Sequence, residues 1–502
     1  MKICKDKKIF LLLLVWSAVV LLLMSPDSPI HGPWNHLDSA WFFMSGKALM
    51  NGMIPYVEFA DSKGPLLWLI YGIGYLLSPR SYTGMYVLAV FCYAGIFYYN
   101  FKTARIFLKD DRRSLIVTLL MAIPYFLYWF HYEVRAEDFS TLPVAISMYY
   151  LFHLLYSNEE SRNSMRLTGL VLGSCFMVLV MIKYNIAAMQ GLMIALTVLY
   201  YIWKKSEYGI LKWLLAGMAP IALPIVVYLF LTDSLSAFFH EYFFNTIQTV
   251  LDESNYNKTY SEELKSVFDE PKNQALFFII VLGGWMLGRL QERWRYVPLL
   301  LGVAFFVLST RHNLGYYYCI CNIFVLYLLT ATAYTFTDAI KGRSVAIAAI
   351  TVIIWGVGEN LRKESDLYNI SIWNHNEERQ VYEDISQILA SEPKARIMYI
   401  FAGEWGHGLA GECLPAGRYW VYQFGSTAEM EREHVELMKS GEADFVIAYE
   451  SEKSNAKGWT QENIEACGYE VCYLKKHICY MFGATTSIVY RKTRNQERIR
   501  RD

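Results

Sequence analysis

Acidic and basic side chains in this chain gather where its apolar runs stop. Asp38, Glu58, Asp61, Lys63, Glu133, Arg135, Glu137, Asp138, Lys183, Arg311 and His312 all fall at one alternating set of run ends, and the runs themselves hold almost no Asp, Glu, Lys or Arg. A carboxylate in such a place can take a proton from a hydroxyl. A lysine or arginine there can hold an anion, and the forked donors of a guanidinium suit phosphate oxygens. Acids and bases converging on one end of a helix bundle describe a site open to both lipid and water. The pattern weighs against ion-coupled transport, which places charge near mid-membrane.

The elements that must position these residues are apolar stretches near 9–24, 83–101, 115–130, 139–156, 167–182, 186–203, 213–232, 275–288, 297–310, 316–336 and 344–358. Several approach the ~20 residues that cross a bilayer, and the shorter ones tilt or borrow flanking residues. The fold class this implies is an α-helical polytopic membrane protein with about eleven transmembrane helices. Apolar residues make up 55% of the 502-residue chain and charged residues 18%. A mean hydropathy of only +0.23 means that part of the chain faces water. Formal net charge is zero, which gives no hint of a nucleic-acid partner. The 38 Tyr, 29 Phe and 14 Trp suit interfacial belts and helix packing in lipid.

Positive charge orients the bundle. With the N-terminus inside, the inner segments hold nineteen Lys and Arg, and the longer outer segments before the tail hold nine. Lys2, Lys5, Lys7 and Lys8 precede the first run, and no small-x-small cleavage site follows it, so it reads as an uncleaved span and not a signal peptide. An odd number of spans places the C-terminal tail outside. The expected location is a bacterial plasma membrane, with the N-terminus cytoplasmic and the C-terminal domain extracytoplasmic.

Two outer loops are long. The first, 26–78, carries one helix from Asp38 and a second from Pro65 through Leu77; both read as interfacial helices. The second, 233–272, opens with an aromatic stretch at 238–244. The expected division is a transmembrane domain at 1–358 and an α/β domain at 359–502. In the latter, helices at 377–390 and 427–439 alternate with strands at 396–402, 419–424 and 443–449, and 461–466, 469–474 and 487–491 continue the alternation. That predicts a small, mostly parallel sheet. Cys413, Cys467, Cys472 and Cys479 fall in this domain and form either two disulfides or four free thiols.

Against this frame, Asp38-Ser39-Ala40-Trp41, Lys47 through Gly52, Pro55-Tyr56 and Asp61-Ser62-Lys63-Gly64-Pro65-Leu66 together resemble the first outer loop of the polyprenyl-phosphate-dependent glycosyltransferases of C-type fold. That family includes protein O-mannosyltransferases and lipid A aminoarabinose transferases, and the likeness runs to its bacterial dolichyl-phosphate-mannose-mannosyltransferase-like branch. Arg135-Ala136-Glu137, the aromatic motif from Arg311-His312 to Tyr316-Tyr317-Tyr318, and Pro415 through Tyr419 extend it over most of the chain. The resemblance implies transfer of a sugar from a polyprenyl-phosphate carrier to a hydroxyl of a glycan, lipid or protein acceptor at the outer membrane face. Asp38 matches the catalytic carboxylate and general base, Glu137 the second outer acid, a catalytic-site residue that would help position the acceptor, and Lys63 the base that faces the carrier phosphate. Arg135, Arg311, His312 and Tyr316 are further donor-binding candidates, with Asp61 and Glu58 in support.

The chemistry agrees. A polyprenyl phosphate leaves as an anion, its second pKa being roughly 6, so the acceptor hydroxyl is the group that needs help. No cofactor is required. The outer loops hold no Asp-x-Asp motif, and metal use stays open. Each residue also has a plainer reading. Asp38 suits a helix N-cap; Glu137 can pair with Arg135 on the surface; Lys63 can snorkel to headgroups; Arg311 and the tyrosines can be interfacial anchors. Two departures from the family pattern bear on the donor: Ser39 follows Asp38 where some relatives pair two acids, and Ser62 stands before Lys63 where some carry an acid. A lipid-linked-sugar transporter or flippase, and a non-catalytic membrane scaffold with an outer binding domain, are the rival functions.

Overall fold

A computed structural model describes residues 2–25, 27–29, 38–124, 134–157, 162–251, 260–309, 315–336, 344–362, 376–400, 407–421, 427–451, 459–479 and 483–493. Every apolar run named above falls on helix within these residues. The first nine helices are α1 (Lys2–Met24), α2 (Asp38–Met50), α3 (Pro65–Leu77), α4 (Thr83–Leu108), α5 (Asp111–Leu120), α6 (Ala136–Tyr156), α7 (Arg162–Ile182), α8 (Tyr184–Leu199) and α9 (Gly209–Leu231). Pro271–Arg289, Val297–Ser309, Gly315–Phe324, Val325–Thr335 and Ser344–Arg362 complete the bundle.

Among the described residues, five helices are long and apolar enough to cross a membrane: Thr83–Leu108, Ala136–Tyr156, Met165–Ile182, Tyr184–Trp203 and Gly209–Leu231. The last turns Leu215, Leu223, Phe230 and Leu231 outward, each more than half exposed. That surface is intelligible only against lipid. α7 and α9 touch through small residues. A Cβ on Gly173 would lie 2.0 Å from the Leu214 carbonyl oxygen, and one on Gly217 would lie 2.1 Å from that of Leu170. Ser174 Oγ donates to the Gly217 carbonyl at 2.8 Å. This is the close backbone approach that small residues permit in helix pairs of membrane proteins.

α2 and α3 are 13 residues each, about 20 Å long, too short to cross. They pack on each other where Gly46 meets Gly72: a Cβ on Gly46 would lie 2.4 Å from Gly72 N. α2 does not simply lie in the interface as expected. Most of it is buried between the bundle and the C-terminal α/β domain, called the outer domain after its expected side, Lys47 included. The helix Ser344–Arg362 runs four residues past the expected boundary at 358.

The outer domain is a five-stranded sheet of order β2-β1-β3-β5-β4, with β1 (Arg396–Ile400), β2 (Leu414–Pro415), β3 (Phe445–Ser451), β4 (Tyr469–Cys479) and β5 (Gly483–Lys492). β1 pairs in parallel with β2 and β3; β5 pairs antiparallel with both β3 and β4. The sheet is therefore mixed, not mostly parallel. Only three residues separate β4 from β5, and a parallel crossover needs a dozen or more. The expected strand at 419–424 appears only as a bridge from Val421 to Tyr399, and 422–426 lie outside the described residues. Helices Asn376–Ala390 and Ala428–Ser440 stand where the sequence places them. Cys413, Cys467 and Cys472 carry free thiols, which rules out two disulfides among the four tail cysteines.

The domain core continues into the first loop. Met44, Tyr56, Trp68 and Tyr242 share one apolar cluster with Ile397, Tyr399, Trp420 and Val446.

Candidate active site

α2 opens on Asp38, and Arg135 sits at the start of α6. Arg135 Nε lies 3.4 Å from Asp38 Oδ2; the arginine side chain is 7% exposed and the aspartate 38%. The turn that presents Arg135 is pinned from several sides. Val134 N donates to Asp27 Oδ2 at 2.7 Å, just past the end of α1. Arg135 N donates to Asp138 Oδ2 at 2.9 Å, and Tyr93 Oη donates to the other oxygen of that carboxylate. A short acceptor side chain in the first helical turn satisfies a backbone N–H that has no helical partner.

Two residues beyond Arg135, Glu137 forms a buried ion pair with Lys183 in the joint between α7 and α8. The neighbouring carbonyl of Ile182 accepts the Gly64 N–H at 3.0 Å. Gly64 is required there, since a Cβ would lie 2.1 Å from the Met181 oxygen. Next to it, Lys63 Nζ donates to Ser62 Oγ at 3.0 Å and lies 3.7 Å from Asp61 Oδ1. It also stands 5.5 Å from the ring centre of Phe42, one turn along α2 from Asp38. Contacts and near neighbours along the chain together link Asp38, Arg135, Glu137, Lys183, Gly64, Lys63 and Phe42.

The structure therefore brings Asp38, Arg135, Glu137, Lys63 and Asp61 into one neighbourhood. The pairing expected of Glu137 with Arg135 is replaced by two pairs, Arg135 with Asp38 and Glu137 with Lys183. Asp61 is 5% exposed; Ser62 donates to its Oδ1 through both backbone and hydroxyl, and its Oδ2 is buried without a partner among the described residues. Glu58 stands apart. Its Oε2 accepts from Ile54 N at 2.6 Å, and it lines a cleft toward the outer domain. Arg311 and His312 lie outside the described residues. Tyr316 is on the 3-10 segment Gly315–Phe324, its side chain outside the described part.

Sequence reasoning missed three partners. Lys183 was visible only as one more charge at a run end. Buried Lys47 donates to the carbonyls of Gly408 at 2.9 Å and Gly411 at 2.6 Å, tying α2 to the outer domain. Glu241, 2% exposed, accepts from Tyr419 Oη at 2.7 Å, Arg418 Nη1 at 3.1 Å and Asn245 Nδ2 at 3.1 Å. Burial first, and then the Glu241 carboxylate, push the Tyr419 phenol well above its ordinary range. Tyr242 carries this contact back to the site: its Oη donates to Val180 O at 2.6 Å and accepts from Tyr184 N at 3.0 Å, on either side of Lys183.

Chemically, the arrangement offers one carboxylate held by a buried guanidinium yet open on one side, which is what a general base needs. Lys63, 19% exposed, offers an ammonium near it for an anion. A larger cleft of about 660 Å³ lies at the far end of α1, among Asp6, Phe10, Tyr98 and Tyr99. Its lining on α1, Asp6 to Leu11, lies roughly 20–27 Å along the helix from the end at Met24, and none of the Asp38 group lines it.

No protein-family model matches this sequence, and no curated protein matches it in sequence. In fold, the chain is similar to ArnT from Cupriavidus metallidurans. The crystal structure of ArnT bound to undecaprenyl phosphate has a TM-score of 0.57 at 14% identity, and that of its apo state 0.57 at 13%; each covers 95% of this chain and 97% of the other. The archaeal oligosaccharyltransferase AglB from Archaeoglobus fulgidus, in complex with an inhibitory peptide and a dolichol-phosphate, covers 95% of this chain and 74% of its own at 13% identity and a TM-score of 0.47. Over nearly the whole of both chains, this protein shares the fold of ArnT.

Proposed function

We propose that this protein is a membrane glycosyltransferase that moves a sugar from a polyprenyl-phosphate carrier to an acceptor hydroxyl. The observation that carries the reading is the Asp38 carboxylate, open on one side and 3.4 Å from buried Arg135, at the end of the bundle where Lys63 also stands. The shared fold with ArnT, a protein crystallised with undecaprenyl phosphate, supports the same donor class.

In this reading the acceptor oxygen attacks the anomeric carbon while Asp38 takes its proton. The bond from that carbon to the phosphate oxygen breaks, and polyprenyl phosphate leaves with the electron pair. A single displacement inverts the anomeric centre. Lys63 neutralises the leaving phosphate, assisted by Arg135 or Arg311. Arg135 keeps Asp38 facing the acceptor. Glu137 is buried against Lys183 and acts as a positioning residue for the turn that presents Arg135. The N-terminus is cytoplasmic and the α/β domain lies on the opposite side, so the bundle spans about eleven times.

The test is reconstitution with a polyprenyl-phosphate-linked sugar and a hydroxyl acceptor. A transferase releases free polyprenyl phosphate in step with glycosylated acceptor, and Asp38→Asn abolishes that release while donor binding persists. A flippase would relocate the donor intact, and that result would overturn the reading.

A further inference from the structure

A cleft of about 410 Å³ opens between the loop that carries Lys63 and the outer domain. Val57 and Glu58 line it from the loop; Arg396, Gly417, Arg418 and Glu442 line it from the domain. Its volume falls in the range of small-molecule sites. We propose that this cleft binds the acceptor, and that the acceptor is a neutral oligosaccharide. The binding claim stands by itself; its link to transfer rests on the function proposed above.

The charges select the ligand. The lining carries two acids, Glu58 and Glu442, and two arginines, of which Arg418 is already paired with Glu241 and Glu433. A phosphate or other anion would meet Glu58 and Glu442, and a cation would meet Arg396. A neutral molecule that donates and accepts at every position satisfies both sets, and sugar hydroxyls do this. The arginines are held before any ligand arrives. Arg396 Nη1 donates to Pro415 O at 2.9 Å, while Arg418 Nε donates to Glu433 Oε2 at 2.9 Å and its Nη1 to Glu241 Oε1 at 3.1 Å. Ordering costs on binding are correspondingly small. Val57, 46% exposed, gives the C–H face of a sugar ring an apolar contact.

A peptide fits less well. The nearby edge strand of the sheet, β2, ends in Pro415, which has no N–H to pair with an added strand.

Position supplies the connection to the site. Ala60 N donates to Arg418 O at 3.0 Å, so the cleft shares a wall with the Lys63 loop. Glu58 and Lys63 are five residues apart, at most about 18 Å along an extended chain. A chain of several sugars is long enough to cover that span, and its remote units in the cleft would anchor the reacting end.

The experiment uses full-length protein in detergent and a probe panel of maltotetraose, α-1,6-mannotetraose and chitotetraose, read by saturation-transfer NMR and titration calorimetry. At least one tetrasaccharide binds, and the surface changes Glu442→Lys and Val57→Lys each weaken it tenfold or more. In the transfer assay the same variants raise the acceptor KM and leave kcat unchanged. If none of the three sugars binds, or if binding is indifferent to both substitutions, the proposal is overturned. Equal binding of a neutral tetrapeptide with the same sensitivity overturns the glycan assignment. The two readings fail separately. Sugar binding without polyprenyl-phosphate release sinks the transferase and leaves the cleft; release with an unchanged acceptor KM in both variants sinks the cleft alone.

Discussion

Arg135 Nε stands 3.4 Å from Asp38 Oδ2, and the two residues come from helices remote in sequence. The guanidinium is buried and the carboxylate is not. Asp38→Asn keeps shape and most polar contacts but removes the proton acceptor. The expected loss in turnover is about 10²–10⁴-fold, the usual worth of a general base. Donor affinity stays within error, while the thermal midpoint falls modestly because buried Arg135 loses its charged partner. Assaying polyprenyl-phosphate release beside donor binding checks this, and unaltered turnover would remove Asp38 from the mechanism.

Glu137 and Lys183 make the second prediction. Both are buried, so removing either partner strands a charge, at a cost of about 3–5 kcal/mol. Glu137→Gln or Lys183→Met therefore lowers the unfolding midpoint sharply. The double variant recovers most of the loss, because no unpaired charge remains. A double-mutant cycle in detergent measures the coupling, and additive single effects would contradict the pairing.

The run-end charges that make the site were legible because apolar runs define their own ends. Which charge meets which was not. Arg135 and Glu137 look like neighbours in sequence, but residues two apart at a helix start do not face each other. They turn to Asp38 and Lys183 instead. The mixed sheet was not legible: the expected strands 469–474 and 487–491 leave twelve residues between them, room for a crossover, and only their extension to Cys479 and back to Gly483 shortens the link to a turn. Glu241 and Arg418 are 177 residues apart, and no local pattern announces their contact. The burial of Lys47 was not legible either, because its acceptors, two glycine carbonyls, carry no side-chain signal.

That Glu241 contact leads to the third prediction. Glu241 binds Arg418, Tyr419 and Asn245 at the seam between the outer domain and the bundle, while Arg418 also binds Glu433. Glu241→Gln weakens charge-assisted bonds worth roughly 1.5–3 kcal/mol each. Arg418→Lys does not rescue the seam, since an ammonium cannot reproduce the guanidinium's fork. Hydrogen exchange should rise at 235–245 and 414–421 in both variants, with the strands β3 and β5 unchanged. Uniform protection in the variants would show that the apolar cluster alone holds the domain.

Three buried histidines, His407, His434 and His477, set the acid limit of the outer domain, each with a pKa lowered by burial. Burial lowers His407 to about 3 and His434 to about 4, whereas an unfolded histidine titrates near ~6.5. Between pH 6.5 and about 4 the unfolded chain therefore binds protons that the folded domain refuses. Stability is complete above about pH 6.5 and falls as pH drops, by up to ~1.4 kcal/mol per pH unit for each histidine. His407 packs against the rings of Tyr382, Tyr399 and Tyr449 and lies within hydrogen-bond reach of the Tyr449 hydroxyl. His407→Gln keeps a polar head that cannot titrate and should flatten part of the slope, leaving the share of His434 and His477, though its midpoint at pH 7.5 drops through lost packing. Unfolding midpoints at pH 7.5, 6.0 and 5.0 decide the matter: a wild-type midpoint that does not fall between 7.5 and 5.0 would show that these rings accept protons in place.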